Sequence, residues 1–198
     1  MPSAATSHKP TYLGLLNAIS LAETAAGDYL EAWAMATPSE ELASVLRLVA
    51  ARERSHGEVF CRRIAELGYT LRHKPDPGAE ARLARYADPS VADLHKIAPE
   101  GAEEADPFGE IRRRLAEGEF DPMTANLMNW YIAEEKDTAV RLAEAYARVR
   151  QKGGKAAKGA HRAMGAAPSA DAQAIMACMN AGFARLEKSL ESLARAAK

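Results

Sequence analysis

Three glutamates and one histidine stand where apolar residues are expected on predicted helices, and side chains of these types bind metal cations. Apolar residues at steps of three and four predict three amphipathic helices, each with one apolar face toward a core. The interrupting residues are Glu23 on the first helix, Glu53 and His56 on the second, and Glu135 on the third. A lone carboxylate is strongly disfavoured in a core, whereas carboxylates and an imidazole that converge there suit a cation. We therefore predict a metal site at these four residues.

Two alternatives stay open for these residues. If the third helix is turned by one position, Glu134 replaces Glu135 as the ligand from that helix. The residues could also form a buried hydrogen-bond network that holds no metal. Glu-x-x-His occurs by chance on charged helix surfaces. Glu53 and His56 indicate a site only because their neighbours along the same helix face are apolar.

Four long helices and one long connection account for most of the chain. The helices are predicted at about 10–35, 39–67, 122–150 and 169–196, and the connection covers 68–120. Thr37 is the predicted N-cap of the second helix, because Pro38 and two glutamates follow it in the first turn. So short a link makes the first two helices antiparallel neighbours. The connection contains three predicted short helices, at 78–86, 90–97 and 107–117.

The ligand spacing resembles that of ferritin-like, carboxylate-bridged di-iron proteins, in particular rubrerythrin-type members. That family places Glu on helix one, Glu-x-x-His on helix two, Glu on helix three and a second Glu-x-x-His on helix four. Glu23, the Glu53–His56 pair and Glu135 match the first three positions, and Glu23 and Glu53 lie 30 residues apart as in rubrerythrin-type chains. The resemblance implies an all-α, ferritin-like four-helix bundle. Its long, partly helical crossover would make helices two and three parallel.

The resemblance also implies a function. It implies bound iron, or another divalent transition metal, with oxidase or peroxidase activity toward oxygen or peroxide, in a homodimer. The predicted fourth helix, however, contains no Glu-x-x-His, and at the level of the ligands only Asn180 offers an oxygen. Three arrangements stay open: one metal on four ligands, a site completed by a partner subunit or by His73 and His95 of the crossover, or a degenerate site without metal. The rival function is a non-catalytic helical bundle used for self-association or partner binding.

Composition narrows the remaining possibilities. The chain has 198 residues and is 47% hydrophobic, which suits a single domain over 1–198. A formal net charge of −1 gives no electrostatic reason to bind nucleic acid or an anionic membrane. The first ten residues contain no apolar run and the chain has two cysteines, and so we expect a cytoplasmic protein without a signal peptide. The basic, glycine-rich segment 151–167 is predicted to be a solvated loop.

Overall fold

The computed structural model describes residues 9–97 and 106–160, with side chains up to residue 152. Every regular element in this part of the chain is a helix, which confirms the all-α prediction there. The fourth predicted helix, at about 169–196, lies outside the described residues. The helices are α1 (Leu13–Ala36), α2 (Glu40–Glu66), α3 (Ala79–Ala87), α4 (Asp93–Lys96), α5 (Gly109–Ala116) and α6 (Pro122–Ala160).

Helices α1 and α2 form the antiparallel hairpin that the short link predicts, but the cap of α2 differs from the prediction. The Ser39 side chain accepts a hydrogen bond from the Leu42 backbone N at 3.4 Å and caps the helix. The prediction of Thr37 as the N-cap is therefore wrong. Its hydroxyl instead donates a hydrogen bond to Asp93 of α4 at 2.6 Å. The hydroxyl is therefore used to attach the crossover to the end of α1.

Gly57 allows α1 and α2 to approach closely next to His56. The Ser20 hydroxyl of α1 donates to the Gly57 carbonyl oxygen at 2.7 Å. A Cβ atom at position 57 would lie 2.4 Å from the Thr24 Oγ1 atom and 3.1 Å from the Ser20 carbonyl oxygen. The Ser20 contact is with backbone, which cannot rotate away. The absence of a side chain at Gly57 thus sets the distance between the two helices.

We expect Gly57→Ala to destabilise the protein by about 1–3 kcal/mol, because the added methyl group forces the helices apart. Urea denaturation followed by circular dichroism would measure the loss. Gly109→Ala is the matched control, since its Cβ would meet only Asp106 atoms at 3.6 Å or more. Equal stability of the two variants would show that the α1–α2 contact tolerates a side chain.

The described parts of the crossover contact both ends of the bundle, and the third long helix runs opposite to its predicted direction. Asp93 of α4 accepts a hydrogen bond from the Trp33 Nε1 atom at 2.7 Å, near the C-terminal end of α1. Phe108 and Ile111 pack at the opposite end, in the same core cluster as Tyr12. The chain therefore enters α6 at the end of the bundle where α2 finishes.

Helices α2 and α6 consequently run antiparallel, and the prediction that they are parallel is wrong. Arg63 near the end of α2 donates to Thr124 near the start of α6 at 2.9 Å. Arg52, further back in α2, pairs with Asp137, further along α6, at 2.5 Å. A ferritin-like connection would place the start of the third long helix at the opposite end of the bundle from the end of α2, whereas the described residues place both at the same end.

Helix α6 extends to Ala160, ten residues beyond its predicted end. The prediction of a loop at 151–160 is therefore wrong. Alanine and lysine, both strong helix formers, fill six of these ten positions and outweigh the three glycines. Lys152 also pairs with Glu41 of α2 at 3.2 Å. The remainder of the predicted loop, 161–167, lies outside the described residues.

Two apolar clusters fill the interior, one toward each end of the bundle. The first includes Leu16, Phe60 and Tyr131, and the second includes Trp33 and Leu46. Each cluster takes residues from α1, α2 and α6 together with the crossover. Between the two clusters, the three long helices turn polar side chains inward, as the sequence pattern predicts.

Asp121 joins three parts of the fold at the start of α6. Its carboxylate accepts hydrogen bonds from the Thr124 backbone N at 3.2 Å, the Tyr12 hydroxyl at 2.6 Å and the Arg63 Nη2 atom at 2.7 Å. Partial burial opposes ionisation, but these donors lower the pKa of Asp121 below its ordinary value.

We expect Asp121→Ala to cost about 2–3 kcal/mol of stability at neutral pH, through the lost cap and the hydrogen bonds from Tyr12 and Arg63. Because the folded-state pKa is lowered, this contribution is present above the unfolded pKa of about 4 and is lost as pH falls further. Urea midpoints at pH 7 and pH 3 would measure both effects. A variant whose deficit is the same at both pH values would contradict the role of the ionised carboxylate. Asp28→Ala, at an exposed aspartate of α1, is the control.

Candidate metal centre

The structure brings the four predicted residues together in the interior. Glu23 of α1, Glu53 and His56 of α2, and Glu135 of α6 each offer one ligand atom, and these atoms all lie within 4.8 Å of one another. The most exposed of the four is Glu23, at 7%, and His56 is fully buried. We call these four residues the EEHE cluster. It is the one group of this kind among the described residues.

The Nδ1 atom of His56 lies at the centre of the EEHE cluster. It is 3.1 Å from the Glu135 Oε1 atom, 3.5 Å from the Glu23 Oε2 atom and 4.0 Å from the Glu53 Oε2 atom. Glu53 and His56 share a face because they are three positions apart on α2. The close approach of α1 at Gly57 brings Glu23 to the same level. Antiparallel packing of α6 supplies Glu135 from the other side.

Each member of the EEHE cluster has a buried polar atom without a hydrogen-bond partner. These atoms are Glu23 Oε2, Glu53 Oε1, His56 Nδ1 and Glu135 Oε1. An unsatisfied buried polar atom costs about 1–3 kcal/mol, and native proteins contain few of them. Four at one place are therefore hard to explain as a structural network. A cation that accepts electron pairs from all four atoms would satisfy them together, and so the donor set fits a bound metal ion.

The pKa values of the residues in the EEHE cluster are shifted from their ordinary values. Burial, together with the facing Glu23 carboxylate, raises the pKa of Glu53. Burial also raises the pKa of Glu135 despite the nearby imidazole. Burial alone would lower the pKa of His56, but Glu135 and Glu23 outweigh it and raise that pKa to about 10. Without metal, the cluster thus retains protons at neutral pH that a metal ion would have to displace.

Tyr131 is a further member of the site, beyond the four residues predicted from the sequence. Its hydroxyl donates to the Glu23 Oε1 atom at 2.7 Å, in a fully buried position. This bond occupies one carboxylate oxygen and leaves Oε2 directed at the cluster. Burial opposes the charge of Glu23, yet Glu53, His56 and Tyr131 lower the pKa of that carboxyl group. The spacing of four residues between Tyr131 and Glu135 was the available signal, because it places both on one face of α6.

Glu135 and Glu134 occupy different sides of the imidazole. Glu135 faces Nδ1 within the cluster, whereas the Glu134 Oε2 atom lies 3.0 Å from Nε2 on the opposite side of the ring. Glu134 is also the more exposed of the two, with 33% of its side chain accessible. The geometry therefore favours Glu135 as the residue that would contact a cation.

The crossover histidines do not complete the site. His73 and His95 are both exposed, and neither belongs to the EEHE cluster. Asn180, the other residue considered as an oxygen donor, lies outside the described residues. Thr138 is a further buried polar residue, one helical turn beyond Glu135, and its hydroxyl has no hydrogen-bond partner.

Comparisons with known proteins leave the site as the main source of functional evidence. No protein-family model, curated protein or solved structure matches this chain. Among the described residues, no helix combines the length and apolar character needed to cross a lipid bilayer.

Proposed function

We propose that this protein binds one divalent transition-metal ion, with iron as the expected metal, through Glu23, Glu53, His56 and Glu135. The supporting observation is the convergence of four buried, unpartnered ligand atoms from three helices. Three carboxylates and one imidazole suit Fe(II), Mn(II) or Zn(II), whereas copper(I) prefers sulfur ligands. The resemblance to ferritin-like proteins is the reason for expecting iron.

The proposed activity is that of an oxidase or peroxidase, in which bound iron would supply the redox chemistry toward oxygen or peroxide. The chain contributes the position of the metal and the exclusion of water, since apolar clusters lie on both sides of the EEHE cluster. An octahedral metal ion bound by four side chains would keep open coordination positions, where a small molecule could bind. A homodimer in a reducing cytoplasm also remains a prediction, which native mass measurement would test for the dimer.

Elemental analysis tests the metal proposal. We expect protein purified without chelator and loaded anaerobically with Fe(II) to hold about one iron per chain, and His56→Ala to hold none. His73→Ala is the matched control, because that histidine is exposed and outside the cluster. Two irons per chain would require further ligands beyond the EEHE cluster. Wild-type protein that retains no Fe(II), Mn(II) or Zn(II) would overturn the proposal.

The rival proposal is a non-catalytic helical bundle in which the cluster is a buried hydrogen-bond network. It is supported by two hydrogen bonds that form without a metal. One runs from the Tyr131 hydroxyl to Glu23, and the other joins His56 and Glu134. This network leaves the Glu23 Oε2 and Glu53 Oε1 atoms without a hydrogen-bond partner even where a protonated His56 pairs with Glu135 through Nδ1. The two proposals predict opposite effects of removing a carboxylate, which allows stability measurements to separate them.

A further inference from the structure

The two nitrogens of the His56 ring face different surroundings. Nδ1 faces three carboxylates of the EEHE cluster and has no hydrogen-bond partner, whereas Nε2 lies 3.0 Å from the Glu134 Oε2 atom. The two nitrogens of an imidazole point away from each other. Glu134 therefore contacts the ring from the side opposite the cluster, although it adjoins Glu135 in sequence.

We infer that Glu134 is a positioning residue for the metal site: it accepts the Nε2 proton of His56 and so leaves Nδ1 free to bind the metal. This inference rests on the proposed metal-binding function. Metal binding displaces the Nδ1 proton that His56 carries without metal, and the neutral imidazole then keeps one N–H, while an ionised carboxylate can only accept a hydrogen bond. The proton shared with Glu134 is therefore on Nε2. The electron pair on Nδ1 is then directed at the cluster.

Two aromatic rings hold the imidazole in the same orientation. Trp130 and Tyr131 contact the His56 ring at centroid distances of 5.0 Å and 5.2 Å, each nearly perpendicular to it. These contacts restrict the tilt of the ring but do not distinguish its two nitrogens. Glu134 is the group on this side of the ring that makes a hydrogen bond to it. Packing thus fixes the ring plane, and Glu134 determines which nitrogen keeps the proton.

The inference predicts a different effect for two substitutions of the same residue. Glu134→Ala removes the acceptor, and we expect metal affinity to fall about 10–100-fold, as is typical when such a partner of a metal-binding histidine is lost. Glu134→Gln keeps an oxygen that can accept the Nε2 proton, and we expect it to restore most of the affinity. If Glu134 acted through its negative charge alone, the two variants would be equally weak.

The test is titration of Zn(II), which is diamagnetic, into wild-type protein, both Glu134 variants and Glu144→Ala in competition with a chelator. Glu144 is an exposed glutamate on the same helix and serves as the control. Proton–nitrogen NMR of the Zn(II)-loaded proteins would follow the Nε2 proton of His56. We expect a slowly exchanging Nε2 proton in the wild type and in Glu134→Gln, and fast exchange in Glu134→Ala.

Each outcome separates this inference from the proposed function. Wild-type protein that binds no Zn(II), Mn(II) or Fe(II) would overturn metal binding itself. Zn(II) bound equally by wild type and Glu134→Ala, with the same Nε2 proton exchange, would overturn the role of Glu134 while leaving the metal site intact. A loss of affinity that accompanies an equal loss of metal-free thermal stability would assign Glu134 a purely structural role and also contradict the inference.

Discussion

Glu53→Leu is expected to stabilise the metal-free protein by about 1–3 kcal/mol, which raises its melting temperature by roughly 3–10 °C. Glu53 is 1% exposed and its Oε1 atom has no hydrogen-bond partner. Burial raises the pKa of Glu53, so that folding without metal keeps a neutral carboxyl group inside the protein at a cost. A leucine of similar volume removes that cost.

The same substitution is expected to abolish stabilisation by metal. At a free metal concentration of about 1,000 times Kd, the wild type should gain about 4 kcal/mol, whereas Glu53→Leu should gain almost nothing. Thermal unfolding with and without Mn(II) would measure both differences. Glu58→Leu, at an exposed glutamate of the same helix, is the matched control and should respond to metal like the wild type. If Glu53→Leu instead lowers the metal-free melting temperature, the cluster stabilises the fold as a hydrogen-bond network, as the rival proposal holds.

Metal affinity should rise steeply with pH, by about 100-fold per unit between pH 6 and pH 8. The reason is competition between metal and protons. The pKa of Glu53 is raised by burial, and the pKa of His56 is raised to about 10 by Glu135 and Glu23 against the effect of burial. Both groups therefore carry a proton in the metal-free protein over this range, and both protons must leave when the metal binds. Lower pH favours the protonated cluster, and so affinity falls as pH falls.

Isothermal titration calorimetry with Zn(II) in buffers of different ionisation enthalpy would count the released protons directly. We expect about two per metal ion in the wild type at pH 7 and about one in Glu53→Gln, where only His56 remains to be deprotonated. An affinity that is constant from pH 6 to pH 8 would show that the ligands are already deprotonated without metal. It would also contradict the raised pKa values on which this expectation rests.

The four members of the EEHE cluster could be chosen from the sequence because helix periodicity is a local property. Residues at steps of three and four share a face whatever the helix packs against. Glu23, Glu53, His56 and Glu135 interrupt such faces, and a polar residue at a core position needs a partner. The helix hairpin of α1 and α2 followed from the same periodicity and from the short link. Periodicity also left Glu134 as an alternative, although adjacent residues point about 100° apart around a helix.

The path of the crossover could not be predicted from helix periodicity, because it depends on contacts between residues distant in sequence. Asp93 bonds to Trp33 and Thr37 about 60 and 56 positions away, and these bonds hold α4 at the far end of the bundle. Composition indicates that a segment is long and partly helical, but not which end of the bundle it returns to. The direction of α6 was therefore predicted wrongly although its start was predicted correctly.

Which side chains face inward could be predicted from the sequence, since that depends only on the rise and twist of a helix. The packing of the three long helices set the contacts that those side chains make. It placed Tyr131 on one oxygen of Glu23, and it divided the neighbours Glu134 and Glu135 between the two nitrogens of His56. These assignments depend on the relative rotation and direction of three packed helices. Small changes in rotation move a side-chain atom by several ångströms, which is more than the length of a hydrogen bond.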